Sequence, residues 1–284
     1  MTTEETETSF QGQYDADRIL ESLSPNLAFL APVDVDGLIR VGNEHDGGYV
    51  VPEDTVQEVD AVLSFGVSTD WSFEEHFKQL NSKVEIHAYD HTVGEQRFLR
   101  AYQRGIIKWL LRRTSLSDVR RRRRILRSYR IFFPSQAIHF EEAIHARNST
   151  PGHATIDKVF RRTKSHRIFL KIDIAGSEYS IIDDILRYAD RIKALVIEFH
   201  ETIALRDTFC SAVKRLQREF QIVHVHGNNF SQAASDGLPN VMEITFVHGA
   251  APSSARRRRS LPLASLDSPN DPKSPDHPLR FNQA

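Results

Sequence analysis

Short apolar runs alternate along this chain with segments of helical periodicity, and this alternation constrains the fold most. The seven runs lie at residues 61–65, 84–89, 137–140, 167–172, 194–199, 222–225 and 241–247. Continuous apolar runs of this length are typical of strands that helices cover on both faces of a sheet. Because helical patterns separate most of the runs, the sequence predicts right-handed crossovers and a mostly parallel α/β sheet.

The last two runs are joined differently from the others. Residues 227–239 between them are rich in turn-forming residues and show no helical stripe. A short non-helical connection favours an antiparallel pair. The predicted fold is therefore a Rossmann-like α/β domain with a mostly parallel seven-stranded sheet and an antiparallel last strand. Farther upstream, Ser72 and Glu75 have the spacing of a capping box, which predicts a helix capped by Ser72.

Composition divides the 284 residues into one domain with two tails. Residues 1–15 are acidic and polar and are predicted to be disordered. Residues 16–249 form the domain, in which the basic segment 95–132 is interpreted as a helical insertion. Residues 250–284, rich in Arg and Pro, are predicted to form a flexible C-terminal tail.

The overall charge and the single cysteine exclude several classes of protein. The formal net charge is −1, and Cys210 has no partner for an intrachain disulfide. No signal peptide and no membrane span is expected, so a cytoplasmic protein is predicted. Arginine runs at residues 120–124 and 256–259 can neutralise phosphates, but solvated surface charge is the usual role of such runs. Nucleic acid is not expected as a partner, since no aromatic residues interrupt the runs.

Ligands of open α/β sheets bind beyond the carboxyl ends of the strands. Gly66 follows the first buried run, and no further glycine follows in the pattern of a dinucleotide-binding loop. A pyrophosphate-binding site is therefore disfavoured. Asp90 follows the second run, where a carboxylate can accept hydrogen bonds from ribose hydroxyls.

The later strand ends carry carboxylates and imidazoles. Asp173 follows the fourth run, Glu198 and His200 close the fifth, and His226 closes the sixth. We expect these side chains to form one cluster that deprotonates a hydroxyl or holds a divalent cation. Asp173, His200 and His226 are the catalytic candidates, with a histidine as base and Asp173 as orienting group or metal ligand. Glu198 joins them as a candidate metal ligand.

Several of these segments together resemble one known family. Residues 171–178, K-I-D-I-A-G-S-E, resemble the signature of FkbM-type methyltransferases. The segments D-G-G-Y at 46–49, V-I-E-F-H at 196–200, H-V-H-G-N-N at 224–229 and L-P-N-V-M-E at 238–243 are similar to one branch of that family. The motifs occur in order over residues 38–248.

This resemblance implies a class I methyltransferase fold with S-adenosyl-L-methionine as methyl donor. The implied acceptor is a hydroxyl of a small molecule such as a glycan. Gly66 and Asp90 match the donor-binding positions, and the motif places Asp46, Gly48 and Tyr49 beside the donor or the acceptor. Ala175 stands where the family usually has an acidic residue. Any role that this carboxylate has in the family is therefore in doubt for this chain.

Two other functions fit the residues less well. A nicotinamide-dependent oxidoreductase uses a similar sheet, but the loop after the first strand is poor in glycine. A non-catalytic protein that binds anions or nucleic acid would use the two arginine runs.

Overall fold

A seven-stranded mixed sheet lies at the centre of the structure, a computed structural model that describes residues 23–146, 150–249 and 254–281. The strands are β1 (Leu38–Val41), β2 (Tyr49–Pro52), β3 (Ala61–Phe65), β4 (Glu85–Tyr89), β5 (Ile138–Phe140), β6 (Ala143–Ile144), β7 (His153–Ala154), β8 (Ile168–Ile172), β9 (Ile192–Phe199), β10 (Phe220–Gly227), β11 (Met242–His248), β12 (Ser260–Leu261) and β13 (Leu279–Arg280).

Helices cover both faces of this sheet, and each face packs against its own layer of buried apolar side chains. The α-helices are α1 (Glu53–Glu58), α2 (Ser72–Leu80), α3 (Glu95–Leu110), α4 (Leu116–Gln136), α5 (Ile156–Arg162), α6 (Ile182–Leu186) and α7 (Arg206–Leu216). Short 3-10 helices span Pro25–Leu30, Glu178–Ile181 and Ala189–Arg191.

The strand order of the central sheet is β10-β11-β9-β8-β3-β4-β5. Strands β3, β4, β5, β8 and β9 are parallel, whereas β11 runs antiparallel to both of its neighbours, β9 and β10. This order is the doubly wound 3-2-1-4-5-6 order with one antiparallel strand inserted before the sixth. The predicted fold class is confirmed, because each of the seven apolar runs forms one strand of this sheet.

Helix α2 begins where the sequence predicts it, but its predicted cap is wrong. Ser72 is the first helical residue, and its hydroxyl has no hydrogen-bond partner among the described residues. Instead, Asp70 accepts the backbone N–H of Ser72 through Oδ1 at 2.9 Å. A capping side chain belongs to a residue before the first helical turn, so Asp70, two residues before Ser72, satisfies this N–H instead.

A small antiparallel hairpin of β1 and β2 lies beside the central sheet. Strand β2 packs against β11, where the Thr245 hydroxyl donates to the Val50 carbonyl at 2.7 Å. The hairpin loop therefore brings the D-G-G-Y segment to the carboxyl ends of the central strands.

The basic segment between β4 and β5 forms a helical hairpin. Helices α3 and α4 pack against each other. Leu126, Tyr129 and Phe133 of α4 bury their side chains together with Trp71 and Phe98. The base of the hairpin is thus part of the domain, and its tip extends beyond it.

Residues 254–281 differ from the predicted flexible tail. Leu261, Leu279 and Phe281 are buried in the core of the domain, and Asn270 is only 2% exposed. Composition misled the prediction because a few apolar residues spaced along a polar segment are enough to bind it to the sheet. The predicted disordered segment, residues 1–15, lies outside the described residues.

Among the described residues, no helix combines the length and the apolar character that a membrane span needs.

Candidate active site

A cavity of about 310 Å³ opens at the carboxyl ends of β3, β4 and β8. It is lined by Gly66, Ser68, Tyr89, Asp90, His91, Thr92, Glu142, Ala143, Ile144, Asp173, Ile174, Ala175 and Ser177. Its position at the edge where strand order reverses is the usual ligand site of such sheets. Gly66, Asp90 and Asp173, predicted separately from sequence, all lie on this one cavity.

Gly66 is required by the geometry of the loop. Its φ is +81°, and a Cβ atom there would lie 1.7 Å from the Asp173 carbonyl oxygen. The glycine therefore lets the loops after β3 and β8 pass against each other. The Gly66 N–H donates to the carbonyl oxygen of Tyr89 at 3.0 Å. This bond connects the loop after β3 to the end of β4.

Asp90 joins the loops after β3 and β4 through four hydrogen bonds. Oδ2 accepts the backbone N–H groups of Val67 at 3.0 Å and Ser68 at 2.8 Å. Oδ1 accepts the N–H of Thr92 at 2.7 Å and its hydroxyl at 2.6 Å. Burial alone would raise the pKa of Asp90, but these hydrogen bonds lower it below its usual value. The carboxylate is therefore ionised at neutral pH.

A buried charged network supports the loop from beneath. Lys171 is 4% exposed and donates to the Gly66 carbonyl at 2.7 Å. Its ammonium also lies 3.9 Å from the carboxylate of Glu74, which accepts a hydrogen bond from Ser64. Burial raises the pKa of Glu74, and the charge of Lys171 opposes that shift. Glu74 was not singled out in the sequence, because on a helix it reads as an ordinary surface carboxylate.

Asp173, Glu198 and His200 form a second group of polar side chains next to the cavity. One ligand-type atom from each lies within 4.8 Å of the others. The His200 Nε2 atom is 4.0 Å from Asp173 and 3.7 Å from Glu198. The predicted cluster therefore exists for these three residues, and Asp173 belongs both to it and to the cavity.

Glu178 fixes the orientation of His200. Its Oε1 atom accepts the backbone N–H of His200 at 2.6 Å and lies 3.1 Å from ring atom Nδ1. Burial alone would lower the pKa of His200, but the bond to Glu178 and the charges of Glu198 and Asp173 raise it to about 9. The imidazole is protonated at neutral pH and points Nε2 toward the carboxylates.

Tyr49 and Asn228 complete this cluster. The Tyr49 hydroxyl donates to Glu198 at 3.2 Å and to Asp173 at 3.5 Å, and the Asn228 amide donates to Glu198 at 3.2 Å. Burial, followed by the charge of Asp173, raises the pKa of Glu198 well above its usual value. Tyr49 is 2% exposed, and burial raises its pKa as well, so it stays a neutral donor.

The rest of the D-G-G-Y segment lies outside the cavity lining. Gly48 allows the loop to close, because a Cβ atom there would lie 1.9 Å from the Asn43 carbonyl. Asp46 accepts a hydrogen bond from Asn270 at 3.3 Å, and burial raises its pKa. Within this segment, Tyr49 is therefore the residue that contacts Asp173 and Glu198.

His226 lies apart from the predicted cluster. Strand β11 separates its strand, β10, from β9. Its Nδ1 atom lies 3.2 Å from Glu243, and its Nε2 atom lies 3.0 Å from Asp276. Burial alone would lower the pKa of His226, but these two carboxylates raise it to about 10. His226 is therefore an ion-pair partner here, with no ring nitrogen free to take a proton.

Ala175, the departure from the family motif, lines the cavity and is exposed. It has a positive φ of 48°, which is unusual for a residue other than glycine. A longer side chain at this position would extend from the rim of the cavity.

No family model and no curated protein matches this sequence. The likeness to FkbM-type enzymes therefore stays at the level of the motifs.

Solved structures give only remote similarity. A fibrillarin pre-rRNA processing protein of Methanococcus jannaschii aligns at 11% identity over 69% of this chain and 70% of that one, with a TM-score of 0.39. A precorrin-6y C5,15-methyltransferase of Geobacter metallireducens aligns at 14% identity over 69% and 84%, with a TM-score of 0.34. TrmK of M. capricolum, solved with S-adenosyl-homocysteine, aligns at 9% identity over 72% and 70%, with a TM-score of 0.32.

Proposed function

We propose that this protein is a methyltransferase that uses S-adenosyl-L-methionine to methylate a hydroxyl of a small acceptor such as a glycan. The observation that carries the proposal is the position of Asp173, shared by the cavity beyond Gly66 and Asp90 and by the cluster with Glu198 and His200. A donor in the cavity and an acceptor over the cluster would meet at this carboxylate.

The cavity suits a nucleoside without a pyrophosphate. Asp90 is an ionised carboxylate at its floor, and the exposed Thr92 hydroxyl can yield its place on Oδ1 to a ribose hydroxyl. Ile144 and Ile174 supply apolar surface for a base. The loop after β3 offers a single glycine rather than a phosphate cradle, which favours this donor over a nicotinamide dinucleotide.

The cluster would align the acceptor and take up its proton. Methyl transfer to oxygen needs the hydroxyl in line with the methyl group and a group that accepts the proton. His200 is protonated at neutral pH, so Asp173 is assigned as the hydrogen-bond acceptor for the hydroxyl. His200 and Tyr49 then hold Asp173 and Glu198 in place.

The same three residues fit a divalent cation, which would take the place of the proton on His200 Nε2 and release it to solvent. Two carboxylates and an imidazole converge, and Glu178 holds the imidazole by its other nitrogen, as carboxylates do for metal-ligating histidines. Such a cation would lower the pKa of a bound hydroxyl. Binding of Mn²⁺ measured by electron paramagnetic resonance, and its loss in Glu198→Gln, tests this part separately.

Calorimetry tests the donor. We expect S-adenosylhomocysteine to bind, NAD to bind at least tenfold more weakly, and Asp90→Ala to reduce binding of the first ligand at least tenfold. Asp54→Ala, at an exposed carboxylate of α1, is the matched control. Tighter binding of NAD would favour the oxidoreductase, and binding of neither ligand would remove the proposal.

A panel of sugars and other hydroxylated acceptors tests the reaction, with release of S-adenosylhomocysteine as the readout. Once an acceptor has been identified, Asp173→Asn should lower kcat for it at least a hundredfold and change the affinity for the donor by less than about threefold.

A further inference from the structure

The tip of the α3–α4 hairpin exposes an unusual concentration of large apolar side chains. Five of the nine most exposed large apolar residues in the described part of the chain belong to it: Ile107 at 57%, Trp109 at 42%, Leu110 at 68%, Leu111 at 58% and Leu116 at 40%. Scattered apolar residues on a surface need no explanation, but a contiguous patch marks an interaction site.

Basic residues surround this apolar tip. Residues 95–132 contain thirteen Arg and Lys residues against two acidic ones, whereas the rest of the chain has 24 basic and 36 acidic residues. Arg104, Lys108, Arg112 and Arg113 are exposed on the tip itself. Residues 120–124 follow on α4, about 6 to 12 Å along the helix axis from its start.

The tip is an ordered structure rather than a loose loop. Arg113 and Arg112 donate backbone N–H groups to Lys108 and Trp109 at 2.7 and 2.8 Å, and Ser115 caps α4. Gly105 lets α3 approach the Arg122 side chain closely, since a Cβ there would lie 2.9 Å from its Cδ atom. The apolar side chains are therefore held out to solvent without a covering element among the described residues.

We infer that this tip and the adjoining part of α4, together residues 104–124, dock the protein on membrane surfaces that contain anionic phospholipids. Apolar side chains with a tryptophan, ringed by Arg and Lys, have the composition of segments that lie at the bilayer interface. The leucines enter the boundary of the acyl chains, and the basic residues lie at the headgroups. Each basic residue near an anionic surface adds to the electrostatic attraction.

The apolar component distinguishes this partner from a nucleic acid. Phosphates would be met by the arginines alone, and the four aliphatic side chains at the tip have no function on RNA. A bilayer matches both parts of the surface at once. The proposed contact is peripheral, since it uses only side chains of the hairpin tip, and it is independent of the proposed methyl transfer.

Tryptophan fluorescence gives a direct test. The chain has two tryptophans, and Trp71 is 4% exposed, so Trp109 dominates any response to a surface. With vesicles of phosphatidylcholine and phosphatidylglycerol at three to one, we expect a blue shift that is absent with pure phosphatidylcholine. The shift should disappear in Trp109→Phe.

Cosedimentation with the same vesicles separates insertion from charge. Leu110→Glu combined with Leu111→Glu should weaken binding at least tenfold, and 0.5 M NaCl should weaken it as well. Phe230→Glu is the matched control, because Phe230 is 64% exposed elsewhere on the surface. Unchanged thermal unfolding verifies that the variants fold.

Three results would overturn the inference. These are no binding to the anionic vesicles at low salt, equal binding by the double glutamate variant, and binding to an RNA oligomer that is tighter than binding to vesicles and insensitive to the leucine changes. The last result would assign the surface to nucleic acid.

Discussion

Gly66 has to satisfy two demands at the end of β3. The backbone turns with a positive φ, and the neighbouring loop passes within the space that a side chain would occupy. Asp90 also has two roles, since its carboxylate holds the loops after β3 and β4 together and lines the cavity. Single residues at these strand ends therefore shape the candidate donor site as well as bordering it.

Comparison of alanine replacements at Gly66 and Gly37 separates the effect of the positive φ from that of the close contact. Gly66→Ala should destabilise the fold by about 3 kcal/mol, because a φ penalty and an overlap with Asp173 add together. Gly37→Ala shares the positive φ but meets no atom within 4 Å, so about 1 kcal/mol is expected. Chemical denaturation measures both values. Equal losses for the two variants would contradict the steric explanation.

Among the elements, the C-terminal segment 254–281 supplies partners for polar side chains at the end of β10. Asp267 lies 3.1 Å from His224, and Asp276 lies 3.0 Å from His226, so the segment supplies carboxylate partners for two buried imidazoles of β10. Asn229 also binds the Asp271 N–H through its side chain at 2.7 Å. Three residues of the H-V-H-G-N-N motif therefore hold the C-terminal segment against the domain.

Truncation of an apolar anchor tests the attachment. Leu279 is 1% exposed, and Leu279→Ala should cost about 2 to 4 kcal/mol of unfolding free energy. Leu110→Ala, at a side chain 68% exposed, should cost less than about 0.5 kcal/mol. Denaturant melts give the two values. A loss below 1 kcal/mol at Leu279 would mean that the segment contributes little to the fold.

At the scale of the whole molecule, charge is strongly segregated. The hairpin collects the basic residues, whereas the strand ends collect buried carboxylates with two protonated histidines among them. The net charge is near zero because the basic residues of the proposed docking surface and the acidic residues elsewhere, including those of the site, nearly balance. The acidic site arises because successive strands end at the same sheet edge, whereas the basic residues of the hairpin already lie close together in sequence.

The stability of the molecule should depend on pH through His226. Its pKa is raised from 6.5 to about 10 in the folded state, so its ion pairs stabilise fully below pH 6.5 and are lost as the pH rises through 10. His226→Gln should cost about 3 to 5 kcal/mol at pH 6. The difference from the natural protein should shrink toward pH 10 in urea melts.

The remaining slope in His226→Gln is expected to come from His200, whose pKa is raised to about 9. A difference between the two proteins that is constant from pH 6 to pH 10 would show that His226 is neutral when folded.

Sequence alone determined the strands of the sheet, because each strand is a local apolar run. The turn-rich connection before the last strand also favoured the antiparallel pairing that the structure shows. The sequence also determined which residues stand at strand ends, including Gly66, Asp90 and Asp173. Tertiary structure decided which of them meet. The insertion of β11 between β9 and β10 moved His226 away from Glu198 and His200, and no local pattern records that neighbour order. Burial of 254–281 likewise depends on contacts more than two hundred residues apart in sequence, such as that of Asn270 with Asp46.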